Sequence, residues 1–374
     1  MKFSREIVRH GTGETGRGVA DWSLNAAVAA TDEFWGEWDG LNARLNQSHP
    51  LLDSRFVRPL LECFGTRAER MLTCRVNGRL AAAAIVVQRH AGIWETFLPS
   101  QAPLAPVLIA TRDVARQALR HLPGFVLFSD FLCQDPHFSP FGPNDGAGSV
   151  ETTPYADTMA IDLRRGFAIY WQSRSRNLRK NIARHLNRME RDGLSGNLER
   201  ISGGTDLQNA VARYGELESR GWKGRRGSAI HATNSQGRFY TSVMASFSAS
   251  GSGEVYEFRF GSRLAASRLV ISNESLSVIL KTTYDEELSE YAPGRLLLYR
   301  LLEHASGRTG PKRIEFYTKA TADQLAWATE HRPIFHARVY RWASLRRGYR
   351  LFKPLRLPLV ADASEGPERD ARSD

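Results

Sequence analysis

Pro293 and Gly294 precede an apolar helical stripe, and here the sequence is best suited to bind an anion. A proline in the first helical position gives up an N–H that the helix does not use. The remaining unpaired N–H groups and the partial positive charge of a helix N-terminus attract phosphates. Gly294 would let a phosphate approach the backbone, and Arg295 adds a full positive charge. Because Pro-Gly also starts many helices that bind nothing, the pattern alone leaves both interpretations open.

Three strand-like runs lead into this helix. Glu254–Phe260 and Arg263–Ile271 are joined by Gly261-Ser262, a two-residue hairpin signal. Leu276–Tyr284 follows after a cluster of turn residues. The end of this third run can line a channel that leads to the anion at Pro293.

Three strands followed by a phosphate-cradling helix resemble the acyl-CoA-binding core of the GNAT acyltransferase superfamily. The sequences of Lys281–Glu286 (KTTYDE) and Tyr291–Leu298 (YAPGRLLL) resemble those of the BioF2-like or CelD-type branch, whose members are associated with bacterial cellulose and exopolysaccharide synthesis. The general GNAT loop, Arg/Gln-x-x-Gly-x-Gly/Ala, is not intact. Gly294 matches its first glycine, whereas Tyr291 and Leu296 occupy the other two key places.

The resemblance implies that acetyl-CoA or another acyl-CoA is the co-substrate. Backbone N–H groups around Leu280–Thr283 would polarise the thioester carbonyl. The phrase from Trp222 to Ile230 resembles a family signature, so that Trp222 would form a wall of a substrate-facing loop and Lys223 would contact an anion. The residues expected to hold the coenzyme are Leu280, Lys281, Thr282, Thr283, Pro293, Gly294, Arg295 and Leu296.

Transfer of an acyl group from a thioester requires that the acceptor loses a proton and that the leaving thiolate gains one. Asp285 and Tyr284, at the end of the channel strand, and Glu315, where the family often has an acidic residue, are the catalytic candidates. Tyr317 is a candidate substrate contact. Asp285 is equally well explained as a turn or cap residue, and Glu315 as an ion-pair partner of Lys319.

A repeat organises the whole chain. Cys74–Val87 and Phe258–Ile271 are identical at six of fourteen positions, at an offset of 184 residues. We infer two tandem copies of one α/β (α+β) unit, each a mixed, mainly antiparallel sheet flanked by helices. Such a double unit resembles the FemABX peptidoglycan transferases. With a helix expected over Val107–Leu122, Pro106-Val107 takes the place of Pro293-Gly294, so the first copy is expected to be structural and the second to be the working one. The expected domains are residues 1–150 and 151–360, followed by a disordered tail, residues 361–374.

The chain of 374 residues has a net charge of +11, which favours anionic partners. Its three cysteines have no metal-ligand or disulfide spacing, and we expect reduced core thiols in a cytoplasmic protein. The N-terminus lacks an apolar signal core, and no run approaches about 18 apolar residues, so no membrane span is expected. No P-loop, no Gly-x-Ser-x-Gly elbow and no His/Cys zinc cluster occurs, which argues against an NTPase, a serine hydrolase or a metalloenzyme.

The most basic stretch, Tyr170–Gly193, is expected to be one helix with Leu178, Ile182, Leu186 and Met189 buried. Its arginines suit a solvated face, a groove for an anionic acceptor, or RNA binding. Together with the resemblance, these features predict an acyl-CoA-dependent acyltransferase acting on a sugar or on a cell-envelope or exopolysaccharide precursor. Polysaccharide-synthesis proteins are possible partners, and the oligomeric state stays open. The alternatives are a Fem-like transferase that uses charged tRNA, and a non-catalytic accessory protein of polysaccharide synthesis.

Overall fold

The computed structural model describes residues 20–143, 148–221, 230–231 and 233–352. The expected disordered tail therefore lies outside the described residues. The strands are β1 (Ala20–Ala26), β2 (Arg70–Val76), β3 (Arg79–His90), β4 (Ile93–Thr96), β5 (Val107–Leu108), β6 (Phe128–Gln134), β7 (Val150–Asp162), β8 (Gly196–Ile201), β9 (Gly253–Phe260), β10 (Arg263–Ser272), β11 (Leu276–Tyr284), β12 (Arg313–Glu315) and β13 (Glu330–Tyr340). The helices are α1 (Asp32–Asn46), α2 (Ser54–Phe64), α3 (Arg112–Arg120), α4 (Phe167–Gln172), α5 (Arg176–Arg191), α6 (Gly204–Arg220), α7 (Ser235–Ser248), α8 (Pro293–Gly307), α9 (Ala322–Leu325) and α10 (Ala343–Phe352).

The thirteen strands of the described part form one mixed sheet. They lie in the order β1-β2-β3-β4-β6-β13-β7-β12-β11-β10-β9-β8, and β5 pairs with β3 outside that order. β4 with β6 and β11 with β12 are parallel, whereas the other neighbours are antiparallel. A mixed, mainly antiparallel sheet with helices packed on it confirms the fold class predicted from the sequence.

Two halves of the sheet repeat each other. In the first unit, residues 20–134, the order is strand, two helices, three strands, the short strand β5, helix and strand; the second unit, residues 196–315, has the same order without a counterpart of β5. The hairpin of β2 and β3 corresponds to that of β9 and β10. The repeat extends to the backbone, because Cys133 (φ 43°) and Tyr317 (φ 46°) are 184 residues apart and both are left-handed. A positive φ is rare for such side chains, so the shared conformation supports the tandem units inferred from the sequence.

The two units exchange one strand each. β7, which follows the first unit, pairs with β12 of the second. β13, which follows the second unit, returns to pair with β6 of the first. β7 and β13 are themselves antiparallel neighbours, from Val150 opposite Val339 to Ala160 opposite Glu330. The two units are therefore joined into one sheet through this central pair, and the domain boundary at residue 150 stays a prediction.

Each face of the second unit carries its own core. α6 and α7 cover one face with buried side chains such as Tyr214 and Phe239, and α5 and α8 cover the other. The apolar stripe predicted for α8 is buried, with Leu296, Leu297, Leu301 and Leu302 between 0% and 3% exposed. Of the stripe predicted for the basic helix, Leu178, Ile182 and Met189 are buried and Leu186 is partly buried. Burial of such stripes contributes roughly 1.5–3 kcal/mol per large apolar side chain.

Two predicted helices have other boundaries. The helix expected from Val107 begins only at Arg112, because Val107–Leu108 is a short strand opposite Ala83 and Ala84 of β3. Pro106-Val107 is thus not the counterpart of Pro293-Gly294, and that prediction was wrong. The helix expected over Tyr170–Gly193 is divided into α4 and α5, because Ser175 has an extended ψ of 147° and caps the second helix through Leu178 N–H.

Candidate active site

β11 and β12 part in the middle of the second unit. Their parallel pairing covers only Leu276–Val278 of β11, opposite Arg313, Ile314 and Glu315. β11 then continues to Tyr284 along β10. Residues 279–284 of β11 and the chain after Glu315 therefore bound an open space in the sheet, which we call the wedge. The wedge exposes strand backbone that is free to hydrogen-bond a ligand.

A β-bulge lies where the wedge opens. Leu269 of β10 faces Lys281, whereas the next residue, Val270, faces Ile279. Leu280 is the extra residue, and a bulge of this kind takes backbone groups out of the ladder and bends the strand. The position agrees with the expectation that N–H groups around Leu280–Thr283 receive a thioester carbonyl, which stays a prediction.

The start of α8 lies next to the end of β11. Ala292 precedes the helix in a left-handed conformation (φ 48°, ψ 54°), Pro293 is the first helical residue, and no side chain caps this end. A Cβ atom placed on Gly294 would lie 3.6 Å from the ring of Tyr284, an ordinary contact, and Gly294 does not have a positive φ. Neither backbone conformation nor packing requires glycine here, so the open space at this helix start suits a ligand.

The matching helix of the first unit is closed. Thr111 precedes α3, and its hydroxyl oxygen accepts a hydrogen bond from Val114 N–H at 3.3 Å. Arg112 at the start of that helix donates to the carbonyl oxygen of Pro140. A side-chain oxygen thus occupies the place that an anion would take. The contrast with Ala292 distinguishes the two units more directly than the sequence did.

Positive charge gathers at the start of α8. His185 of α5 contacts the carbonyl oxygen of Glu290, three residues before the helix, at 3.2 Å. Burial, together with the positive charges of Arg184, Arg295 and Arg188, lowers the pKa of His185. The three guanidinium groups therefore act on the His185 ring near the start of α8, and Arg188 also pairs with the carboxylate of Glu290 at 3.4 Å. Arg295 also binds Asp323 of α9, at 2.8 Å and 3.2 Å.

The two candidates at the end of β11 differ in availability. Tyr284 is 46% exposed and its ring lies beside Gly294. Asp285 is 8% exposed; it accepts two hydrogen bonds from Arg263, at 2.7 Å and 2.9 Å, and one from Glu287 N–H at 3.1 Å. In this arrangement Asp285 caps the short helical turn after β11, which is the structural alternative considered for it. Its catalytic role stays a prediction.

The side chains of β11 point alternately to the two faces. Lys281 lies on the face of α6 and α7, where its Nζ is 3.3 Å from the carboxylate of the buried Glu218. Thr283, opposite Ser267, shares that face and is 8% exposed. Thr282 lies opposite Arg268 on the face of α8. Sequence reasoning missed Glu218, which lies four residues before the Gly-rich phrase that begins at Trp222. The predicted contacts Trp222 and Lys223 lie outside the described residues.

Glu315 and Tyr317 belong to a buried ionic cluster between the two units. Glu315, which is fully buried, accepts a hydrogen bond from Arg313 at 2.6 Å and lies 3.1 Å from Arg332. Burial raises the pKa of Glu315 despite both arginines. Arg332 also holds Asp135 of the first unit through two hydrogen bonds of 2.9 Å and 2.5 Å. Glu315 does not pair with Lys319 as the sequence suggested, and its carboxylate is committed to these arginines.

The hydroxyl of Tyr317 lies between His49 and Asp135. His49 Nδ1 accepts a hydrogen bond from Leu51 N–H at 3.2 Å, so Nε2 carries the proton and donates to Tyr317 Oη at 2.7 Å. Tyr317 in turn donates to Asp135 at 2.8 Å. Since this hydroxyl is used within the interface, a direct contact of Tyr317 with a substrate stays a prediction.

We expect His49 to make the fold sensitive to acid. Burial lowers the pKa of His49 from 6.5 to about 4. Between these values the unfolded chain binds a proton that the folded chain does not, so the contribution is complete above pH 6.5 and is lost as the pH falls towards 4. From pH 7.5 to pH 5 the loss should be about 2 kcal/mol. Urea unfolding of the wild type and of His49→Gln at both pH values measures it.

The variant should lose less stability between the two pH values than the wild type. His331→Gln, at an exposed histidine of β13, is the matched control and should respond to pH as the wild type does. An equal loss in His49→Gln and the wild type would contradict the assignment of this pH response to His49.

Comparison with known proteins supports this picture. Residues 176–324, from α5 to α9, match the sequence model described as an acetyltransferase (GNAT) domain. No curated protein matches the chain significantly. Among the described residues, no helix is both long and apolar enough to cross a bilayer.

Solved structures resemble the chain along most of its length. The crystal structure of FemX covers 85% of this chain and 98% of its own, with a TM-score of 0.51 and 9% identity. A conserved protein of unknown function from Bacteroides thetaiotaomicron covers 82% and 97%, with a TM-score of 0.50 and 8% identity. At such identities the likeness concerns the fold alone. A tandem GNAT protein from the clavulanic acid biosynthesis pathway covers 85% of this chain and 98% of its own, with a TM-score of 0.43 and 17% identity. The match to the GNAT acetyltransferase domain, residues 176–324, includes the wedge and the start of α8, and the chain is an acyltransferase.

Proposed function

We propose that the second unit transfers an acyl group from an acyl-CoA to an amine or hydroxyl of a small saccharide acceptor. The observation that carries the proposal is the open start of α8 beside the wedge. The same end of α3 is closed by Thr111 in the first unit. Gly294 leaves room for a phosphate, and Arg184, Arg188 and Arg295 supply positive charge around it. The first unit is then a structural partner.

The residues of the wedge divide the reaction between them. The N–H groups at the start of α8 bind the diphosphate of the donor, as helix N-termini bind phosphates. The N–H groups beside the Leu280 bulge stabilise the negative charge that develops on the thioester oxygen. As the acceptor attacks, the carbon–sulfur bond breaks and the thiolate takes up a proton. Tyr284, exposed beside Gly294, is the proton donor that we favour.

The acceptor must also lose a proton. Asp285 and Glu315 are held by arginines, so either could act as the base only after its arginine shifts. The BioF2-like or CelD-type resemblance supports a sugar or an exopolysaccharide or cell-envelope precursor as acceptor. A cytoplasmic site of action and a link to polysaccharide-synthesis proteins are parts of the same proposal.

Calorimetric titration tests the donor. We expect acetyl-CoA to bind saturably, with about one molecule per chain, because only one unit has an open helix start. Bulk tRNA is titrated in parallel at two salt concentrations. Absence of acetyl-CoA binding by the folded protein would refute the proposal, and binding of two molecules per chain would refute the assignment of the first unit.

A Fem-like transferase that uses charged tRNA is the second candidate. The observation that favours it is the exposed surface of α5, where Arg176, Arg179, Lys180 and Arg184 make no ion pair with a described residue. A polyanion that neutralises such residues binds more weakly as salt rises. Tight tRNA binding without acetyl-CoA binding would favour this candidate.

We expect α5 to contribute little to acetyl-CoA binding beyond Arg184 and Arg188. Replacing Arg176, Arg179 and Lys180 by glutamine should change the acetyl-CoA dissociation constant by less than about twofold, because screened, exposed charges contribute little at a distance. Under the tRNA alternative the same triple variant should weaken tRNA binding by more than tenfold and flatten its salt dependence. Titration of the triple variant with both probes separates these outcomes.

A further inference from the structure

A buried arginine of the sheet, Arg268, contacts the start of α8. Arg268 lies on β10 opposite Thr282, on the face covered by α8, and is 7% exposed. Its Nη2 donates to the carbonyl oxygen of Gly294 at 3.3 Å, and its guanidinium carbon lies 6.0 Å from the centre of the Phe316 ring. The guanidinium group therefore sits between the helix start and the chain that follows β12, at the wedge.

No carboxylate of the described residues pairs with Arg268. Its Nε and Nη1 are buried and have no hydrogen-bond partner among the described residues. Burial lowers the pKa of Arg268 to about 10, so the group is still a cation at neutral pH. The buried Arg332, by contrast, is paired with Asp135, and the partly buried Arg338 is paired with Asp130. An unpaired buried cation destabilises a fold and persists where something other than folding requires it.

The fold itself does not require this arginine. At the offset of 184 residues, Ala84 of β3 stands in the place of Arg268 and is buried in the corresponding core of the first unit. β3 and β10 are matched in their hairpins with β2 and β9. On the other side Ala84 lies opposite Val107 of β5, whereas Arg268 lies opposite Thr282 of β11. The arginine is thus specific to the unit whose helix start is open.

We propose that Arg268 binds an oxyanion of the ligand that enters the wedge, either a phosphate of the diphosphate at the start of α8 or a carboxylate on the transferred acyl group. The inference deepens the proposed function and rests on it for the identity of the donor. Two unused N–H donor groups suit an anionic oxygen, because charge-assisted hydrogen bonds are the strong ones. These nitrogens are covered, so binding requires the side chain to rotate towards the open end of the wedge.

The test compares Arg268→Met with the wild type and with Arg300→Met, which removes a half-exposed arginine of α8 that pairs with Glu303. Thermal unfolding and titration use CoA, pantetheine, inorganic pyrophosphate, acetyl-CoA and succinyl-CoA. We expect Arg268→Met to melt at or above the wild-type temperature and Arg300→Met to bind all ligands normally.

If Arg268 binds a phosphate of the donor, Arg268→Met should bind CoA and pyrophosphate at least tenfold more weakly, and its affinity for pantetheine should equal that of the wild type. If Arg268 binds a carboxylate of the acyl group, the wild type should prefer succinyl-CoA to acetyl-CoA. Arg268→Met should lose that preference while its affinity for CoA stays unchanged. Unchanged affinity for every ligand together with a lowered melting temperature would overturn the proposal, because Arg268 would then only support Gly294.

Failure of the proposed acyl-CoA donor and failure of the Arg268 oxyanion site give different results. If the wild type binds no CoA derivative, the proposed function fails, and pyrophosphate and succinate alone then test Arg268. A melting-temperature rise with either anion that is absent in Arg268→Met would still support the oxyanion site. Absence of any rise in the wild type would overturn it.

Discussion

Replacing Arg332 by methionine is expected to lower the free energy of unfolding by about 3–5 kcal/mol. Arg332 is 5% exposed and stands between Asp135 and Glu315, which are 2% and 0% exposed. Its loss leaves two buried carboxylates of opposite units facing each other with less positive charge. The carboxylates would then have to take up protons or draw in water. Urea denaturation at pH 7.5 measures the effect.

The matched comparison is a double-mutant cycle with Asp135→Asn. Removing both charges should recover part of the stability lost in Arg332→Met, because the partner of the arginine is no longer a charge. Arg300→Met, at a surface ion pair, should cost less than about 1 kcal/mol. A loss in Arg332→Met as small as that in Arg300→Met would show that the cluster does not stabilise the contact between units.

Gly294→Val is expected to weaken acetyl-CoA binding at least tenfold, about 1.4 kcal/mol, while the protein stays folded. The valine Cβ has room beside the Tyr284 ring, so the fold tolerates it. Its two methyl groups, however, would fill the space in which a phosphate reaches the helix N–H groups. Calorimetric titration, with circular dichroism as the check on folding, measures both properties.

Gly307→Val is the control within the same helix. Gly307 is the last residue of α8, and a Cβ atom placed there meets nothing within 4 Å. That variant should bind acetyl-CoA as the wild type does. A folded Gly294→Val with affinity within twofold of the wild type would mean that the phosphates bind elsewhere.

Local signals predicted the second unit well. Leu276–Tyr284 was predicted as a strand and is β11 residue for residue. Its start is set by Asn273, whose side-chain oxygen accepts hydrogen bonds from Ser275 N–H and Leu276 N–H at 2.8 Å. Pro293 likewise marks the first residue of α8. In both places one side chain or ring dictates the backbone, so the information is contained in a few neighbouring residues.

The wrong helix start at Val107 shows where local reasoning fails. Apolar residues of a short strand and of a helix look alike, and only the pairing of Val107 with Ala84 of β3 separates them. His49 and Tyr317 are 268 residues apart, so no local sequence pattern predicts their contact. Arg268 was visible in the repeat as a substitution for Ala84. Its importance depends on burial, which the alignment of the two hairpins does not reveal.

The exchange of β7 and β13 has a consequence for folding during translation, because β6 is made long before its partner β13. β6 leaves the ribosome about 200 residues before β13, its neighbour in the finished sheet. Until then the nascent first unit presents an open strand edge, the kind of edge to which other chains add. The sheet of the first unit is therefore complete only once β13 has been made, and a nascent chain that stalls before that point keeps an edge at which aggregation can begin.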